Sequence, residues 1–149
     1  MSLFRRTPNK PKVFLSHIHE DKSITLAIAK YLEQTFSNAV EIFASSDGTS
    51  ILLGDKWMDR VEENLRAASI LIVLASPNSV TRPWIHFEAG GGWIRGARVM
   101  PVCIRGMLIG ALPQPLMSLQ SSEISSPDGV RDFFLGVARV LDLTCAFTD

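Results

Sequence analysis

The sequence predicts a doubly wound α/β fold, a flavodoxin-like sheet of five parallel strands with helices on both faces. Short apolar runs typical of buried strands alternate about five times with segments of helical periodicity. Residues 70–75 are apolar at every position, as in a central parallel strand that is covered on both faces. The 149 residues suit one domain with a sizeable core. We expect the strand order 2-1-3-4-5, with the switch point between strands one and three.

The elements follow in order from the same patterns. Strands are expected at residues 12–16, 40–44, 70–75 and 99–104, with a short edge strand at 122–125. Helices are expected at residues 21–36, 55–68, from Pro83 onward, and 128–143. Residues 45–54 are a predicted loop, with Asp47 and Gly48 as a turn signal, and residues 105–120 are irregular. Residues 1–11 are expected to be a flexible leader before a domain at 12–149.

Charge and cysteine content exclude several classes of partner. Fifteen basic and fifteen acidic residues cancel, so we expect no direct binding to nucleic acid or to a membrane. The longest strongly apolar run has about six residues, against the roughly 20 that cross a bilayer. Cys103 and Cys145 form no metal-binding or disulfide pattern, which favours a reducing, cytoplasmic location.

The most informative pair is Trp84 and Glu88, which share one face if the segment after the third strand is helical. That face would lie at the carboxyl edge of the sheet, where open α/β folds bind ligands. Glu88 is then either a solvated helix carboxylate or a carboxylate held beside an aromatic ring. Residues 90–92 are three glycines, each costing about 1 kcal/mol in a helix. Close packing, a helix break or a need for room must offset that cost.

Other polar residues near the first strand admit several interpretations. His17 and His19 would share a face within a strand, but no third metal ligand is evident, so we expect no metal site. Capping of the first helix by Asp21 is the favoured structural explanation. Ser16 lacks the G-x-S-x-G context of a hydrolase nucleophile. No phosphate-binding glycine loop follows the first strand.

Taken together, these segments resemble the Toll/interleukin-1 receptor (TIR) domain family, of the bacterial, NAD-cleaving kind. Residues 13–17 with Glu20 and Asp21 resemble its opening box, and residues 45–54 occupy the place of its BB loop. Residues 70–76, Ser79 and the W-x-x-x-E stretch 84–88 resemble the strand and helix that carry its catalytic glutamate, and residues 99–104 resemble its fourth strand. The resemblance covers roughly residues 12–143.

The resemblance implies an NAD⁺ glycohydrolase or a related cyclase, with NAD⁺ as substrate and no further cofactor. Glu88 would be the catalytic carboxylate, and Trp84 would support it. Ser16 and His17 would line the nicotinamide side of the site. Further substrate contacts would come from Phe43, Asp47 and Trp57. One carboxylate is enough, because the bonded nicotinamide ring already carries a positive charge and can depart without a general acid. The transition state at the ribose is oxocarbenium-like, and a single carboxylate can stabilise it.

The family also implies partners and leaves rival functions open. Other TIR protomers, in a homo-oligomer or filament, and a sensor domain or subunit are expected for an anti-phage defence effector. The BB-loop region lacks Arg-x-x-Pro-Gly and has Ile-Leu-Leu at residues 51–53, which is either buried under the loop or a contact with a neighbouring protomer. The alternatives are a non-catalytic TIR scaffold and a nucleoside deoxyribosyltransferase-like enzyme.

Overall fold

The computed structural model describes residues 10–46 and 54–145, with the backbone alone described at residues 46 and 54–56. Three sequence predictions therefore lie outside the described residues. They concern residues 1–9 of the expected leader, Asp47 of the expected loop and the apolar residues 51–53.

The described chain forms five strands and four α-helices that alternate along the sequence. The strands are β1 (Lys12–His17), β2 (Glu41–Ser46), β3 (Ala68–Ala75), β4 (Arg98–Cys103) and β5 (Ser122–Glu123). The helices are α1 (Lys22–Thr35), α2 (Gly54–Ala67), α3 (Pro83–Ile94) and α4 (Pro127–Leu141). Every strand pair is parallel and the order is β2-β1-β3-β4-β5. The predicted fold class and strand order are thus confirmed.

The sheet separates two apolar layers. On one face, side chains of α1 and α4 such as Leu32 and Phe133 pack against alternate strand residues. On the other face, side chains of α2 and α3 such as Leu65 and Ile85 pack against the intervening strand residues. Residues 70–75 of β3 are all fully buried, as the unbroken apolar run predicted. Within the described part of the chain, no helix has the length and apolarity needed to span a membrane.

Most element boundaries differ from the sequence prediction by one or two residues, and two of the differences lie near the site. Strand β2 continues to Ser46, so the connection expected from residue 45 begins later in the chain. The polar residues before α1 form a separate 3-10 turn, His19–Asp21, and α1 itself begins at Lys22. The first difference matters for the site, because it makes Ser45 a strand residue that pairs with Ser16.

Close packing explains the glycines of α3. The helix continues through residues 90–92 without a break. A Cβ atom on Gly91 would lie 2.8 Å from Cδ2 of Leu65, and one on Gly92 would lie 2.7 Å from Cδ1 of Leu71. No atom lies within 4 Å of the corresponding position on Gly90. Two of the three glycines therefore let α3 approach α2 and β3 closely, which brings the helix that carries Glu88 against the sheet.

Candidate active site

The centre of the candidate site is the carboxylate of Glu88, which is fully buried. Ser16 Oγ donates a hydrogen bond of 2.8 Å to Glu88 Oε1, and Ser16 is also fully buried. A carboxylate taken out of water is costly unless hydrogen bonds replace its hydration. The interpretation of Glu88 as a solvated carboxylate is therefore wrong. The hydrogen bond from Ser16 joins the end of β1 to the middle of α3.

The pattern of α3 accounts for this position. Its buried residues are Ile85, Glu88, Ala89 and Gly92, which recur at the spacing of one helix face. Pro83 occupies the first turn, where its missing N–H costs nothing. Glu88 thus takes a place in the apolar face of the helix, opposite Ser16 at the carboxyl end of β1. Since β1 lies between β2 and β3, its carboxyl end is at the topological switch point of the sheet, where open α/β folds bind ligands.

A row of aromatic rings is centred on Trp84 of α3. Trp84 lies one helical turn before Glu88 and is half-buried. Its ring centroid is 5.0 Å from that of Trp57 on α2 and 5.3 Å from that of Phe87, which stacks on it. Trp84 Nε1 is buried and makes no hydrogen bond to the residues described. The row offers flat π surfaces that can bind a planar or cationic ring.

Phe43 belongs to the same apolar layer as the two tryptophans. It pairs in register with Phe14, and the two ring centroids are 5.3 Å apart. The guanidinium carbon of Arg60 lies 5.9 Å from the centroid of the Phe43 ring, within cation–π range. Of the weaker substrate-contact candidates, Phe43 and Trp57 therefore lie in one cluster with Trp84, while Asp47 is outside the described residues.

The two histidines near β1 lie in different elements. His17 is the last residue of β1 and is 4% exposed, whereas His19 opens the 3-10 turn and is exposed. Among residues 10–46 and 54–145, no three His, Cys, Asp or Glu side chains are grouped as metal ligands would be.

Asp21 has a role that the sequence did not reveal. It stands at the N-cap position of α1, but its side chain makes no capping hydrogen bond, so that expectation was wrong. The carboxylate is 1% exposed and accepts hydrogen bonds from Arg105 Nε at 2.6 Å and Ser76 Oγ at 2.8 Å. The charged guanidinium of Arg105 forms a stronger hydrogen bond to this carboxylate than the neutral N–H groups of the helix would. The contacts tie together the chain segments that follow β1, β3 and β4.

A second link holds the turn after β1 to the start of α3. Arg82, the residue before α3, pairs with Glu20 at 2.9 Å. A hydrogen bond with the backbone of Glu20, followed by that from Arg82, lowers the pKa of the Glu20 carboxyl below its ordinary value. The pair is exposed and its contribution to stability is small. The pair nevertheless joins the turn after β1 to the residue before α3.

Ser45 is the site residue that sequence reasoning missed. It lies on β2 opposite Ser16 of β1 and is 2% exposed. Its Oγ makes no hydrogen bond to any residue that the structure describes. The only signal in the sequence was a polar residue directly after an apolar strand, and its distance from Ser16 depended on the register of two strands.

Comparison with known proteins agrees with the observed fold. The family model described as TIR domain matches residues 13–133. No curated protein matches the chain. The TIR domain of the Toll-related receptor TRR-2 from Hydra magnipapillata is 14% identical with a TM-score of 0.66, and the match covers 87% of this chain and 97% of that one.

Two other solved structures share the fold. The SEFIR domain of interleukin-17 receptor B is 8% identical with a TM-score of 0.60, over 88% of this chain and 96% of that one. The CMP N-glycosidase BcmB of Clostridium botulinum is 12% identical with a TM-score of 0.54, over 86% of this chain and 98% of that one. At such identities the likeness concerns the fold alone. By its family-model match over residues 13–133, this chain belongs to the TIR domain family.

Proposed function

We propose that this TIR domain is an NAD⁺ nucleosidase that cleaves the bond between ribose and nicotinamide. The observation that carries the proposal is the buried carboxylate of Glu88, held by Ser16 at the switch point of the sheet. The neighbouring Trp84–Trp57 pair supplies aromatic surface for a planar ring of the substrate. A carboxylate and an aromatic pair suit a substrate that is planar and positively charged at the reacting end.

The chemistry needs one carboxylate. Nicotinamide is bonded to ribose through a cationic ring nitrogen, so the C1′–N bond breaks with its electron pair returning to the ring. No proton has to be donated to the leaving group. The positive charge that develops on ribose is oxocarbenium-like, and a preorganised carboxylate such as Glu88 stabilises it. Attack of water at C1′ yields ADP-ribose and a proton, while attack by a nitrogen of the adenine yields a cyclic product.

Ser16 would act through Glu88. Its hydrogen bond to Oε1 fixes the rotamer of a side chain that would otherwise sample several. Positioning of this kind keeps the carboxylate in one orientation before substrate arrives, and it limits the reorganisation that stabilising the developing charge would cost. His17, Phe43 and Asp47 remain proposed substrate contacts from the family resemblance.

The burial of Glu88 is the reason to link catalysis to the association of protomers. Because Glu88 is fully buried, NAD⁺ reaches it only after neighbouring groups move aside. TIR domains commonly associate with one another, and we propose that association of protomers favours the open arrangement. A sensor domain or subunit would promote that association in a bacterial anti-phage defence system. Similarity of fold to a CMP N-glycosidase is compatible with the proposal, since that enzyme class also cleaves an N-glycosidic bond.

The test is nicotinamide release from NAD⁺ at high protein concentration, with and without a crowding agent. The wild type should release nicotinamide, and Glu88→Gln should not, because the amide carries no charge to stabilise the oxocarbenium ion. Glu63→Gln on the exposed face of α2 is the matched control and should behave as wild type. Equal rates for Glu88→Gln and wild type would remove Glu88 from the mechanism. Chromatography of the products distinguishes ADP-ribose from a cyclic isomer.

A non-catalytic TIR scaffold is the second candidate, and one observation favours it. Helix α3 exposes Phe87, Trp93 and Ile94, which are 58%, 60% and 82% exposed. Such side chains on one helix can form a contact with another protomer. Concentration-dependent association in light scattering, without nicotinamide release under any associating condition, would support the scaffold instead of the enzyme.

A further inference from the structure

The hydroxyl group of Ser45 makes no hydrogen bond to the described residues and lies next to Ser16, which binds the candidate catalytic carboxylate of Glu88. Phe14 and Phe43 contact each other on the α2–α3 face of the sheet. Two residues further along each strand, Ser16 and Ser45 are partners in the register and lie on that same face. Adjacent strands are about 4.8 Å apart, so Ser45 stands next to the serine that holds Glu88.

The hydroxyl of Ser45 lies in an environment where polar groups are normally paired. Ser45 is 2% exposed, and its Oγ makes no hydrogen bond to the described residues. The other buried serines of this edge differ, since Ser79 Oγ donates to Leu74 O at 2.8 Å and accepts from Ser76 N at 2.7 Å. A buried hydroxyl without a partner disfavours the folded state, and an alanine there would fold at least as well. Among the residues that the structure describes, Ser45 Oγ is therefore a group that a ligand of this site can engage.

We propose that Ser45 Oγ hydrogen-bonds a hydroxyl group of the ribose that bears the scissile bond. This inference rests on the proposed function for the identity of the ligand. A serine hydroxyl both donates and accepts, and a ribose hydroxyl does the same, so the two groups satisfy each other. Ser45 would thereby make the site selective for ribosides over deoxyribosides, because a deoxy sugar leaves the buried hydroxyl unpaired. A nucleoside deoxyribosyltransferase-like activity would then be disfavoured.

The experiment compares the binding of three ligands by isothermal titration calorimetry. They are NAD⁺ and its analogues that lack the 2′- or the 3′-hydroxyl of the nicotinamide ribose. The proteins are Glu88→Gln, which keeps a hydrogen-bond acceptor for Ser16, and the same protein with Ser45→Ala. We expect Ser45→Ala to weaken NAD⁺ binding about tenfold, equal to about 1.4 kcal/mol. With one of the two deoxy analogues, Ser45→Ala should change the affinity less than twofold.

Stability provides the second measurement. Ser45→Ala should leave the melting temperature unchanged or raise it, because it removes an unpartnered buried hydroxyl. Ser79→Ala is the matched control and should lower it, because two backbone partners lose their hydrogen bonds. A loss of stability from Ser45→Ala as large as that from Ser79→Ala would overturn the inference.

The outcomes separate this inference from the proposed function. A Ser45 effect of the same size on all three ligands, no effect on any, or no detectable binding of NAD⁺ would overturn the role of Ser45. Nicotinamide release by the wild type would still support the enzyme in those cases. Conversely, selective binding that depends on Ser45 without nicotinamide release would retain the sugar contact and contradict the proposed reaction.

Discussion

The hydrogen bond between Ser16 and Glu88 can be tested as an energetic link as well as a catalytic one. Ser16→Ala removes a donor 2.8 Å from Glu88 Oε1, and both side chains are fully buried. Hydrogen bonds to charged groups contribute about 1.5–3 kcal/mol, and water cannot easily replace a donor at a fully buried oxygen. We therefore expect the free energy of unfolding to fall by about 1.5–3 kcal/mol. For a domain of this size, this corresponds to a melting temperature lower by roughly 3–12 °C.

Urea denaturation of a double-mutant cycle isolates the pair. The cycle uses Ser16→Ala, Glu88→Leu and the double variant, because leucine removes both oxygens at a similar side-chain volume. Direct contacts give coupling energies of about 0.5–3 kcal/mol, whereas independent sites add within about 0.3–0.5 kcal/mol. Additive effects, or a loss below about 0.5 kcal/mol from Ser16→Ala alone, would refute the link. In the nicotinamide assay, Ser16→Ala should lower kcat more than it raises KM, because its role is to orient the carboxylate.

Two further predictions concern the packing of α3 and the pH dependence of stability. Gly92→Ala places a Cβ atom 2.7 Å from Leu71 Cδ1. Crowding costs about 1–3 kcal/mol and the helix propensity of alanine offsets about 1 kcal/mol, so thermal denaturation should show a net loss of up to about 2 kcal/mol. Gly90→Ala, with nothing within 4 Å, should instead gain up to about 1 kcal/mol, and equal effects would contradict the packing. Burial, and then the charge of Glu123, raises the pKa of the Cys103 thiol to about 11. The folded state holds this proton more tightly than an unfolded thiol with a pKa of about 8.5. The protonated thiol therefore contributes to the free energy of unfolding, and this contribution is complete below about pH 8.5. It is lost as pH rises toward 11, by up to about 2–3 kcal/mol. Urea titrations at pH 8 and 10.5 should show a smaller decline for Cys103→Ala than for wild type, and identical declines would contradict the assignment.

Much of the architecture followed from local patterns. The apolar run at residues 70–75 predicted a central strand, and β3 is buried along that whole run. Helical periodicity located α1, α2 and α4 to within a few residues, and Pro83 marked the start of α3. Patterns of this kind are reliable because burial on one face of a helix, or on both faces of a strand, constrains residues that are close in sequence.

The site was harder to predict, because its contacts join distant parts of the chain. Asp21 was expected to cap α1, but Arg105, which lies 84 residues later, pairs with its carboxylate. Glu88 was open between two interpretations until its burial against Ser16 excluded the solvated one. No local pattern specifies which donor reaches a carboxylate across the sheet.

The sequence by itself determined the α/β class and the helix that carries Trp84 and Glu88, because periodicity controls these features. The expected strand order was confirmed by the pairing of the strands in the sheet. Only the tertiary structure decided the register that sets Ser45 beside Ser16, the packing of Gly91 and Gly92, and the burial of Glu88. These depend on which surfaces meet when α3 closes on the sheet. The free energy of such contacts is shared between segments that the linear sequence keeps apart.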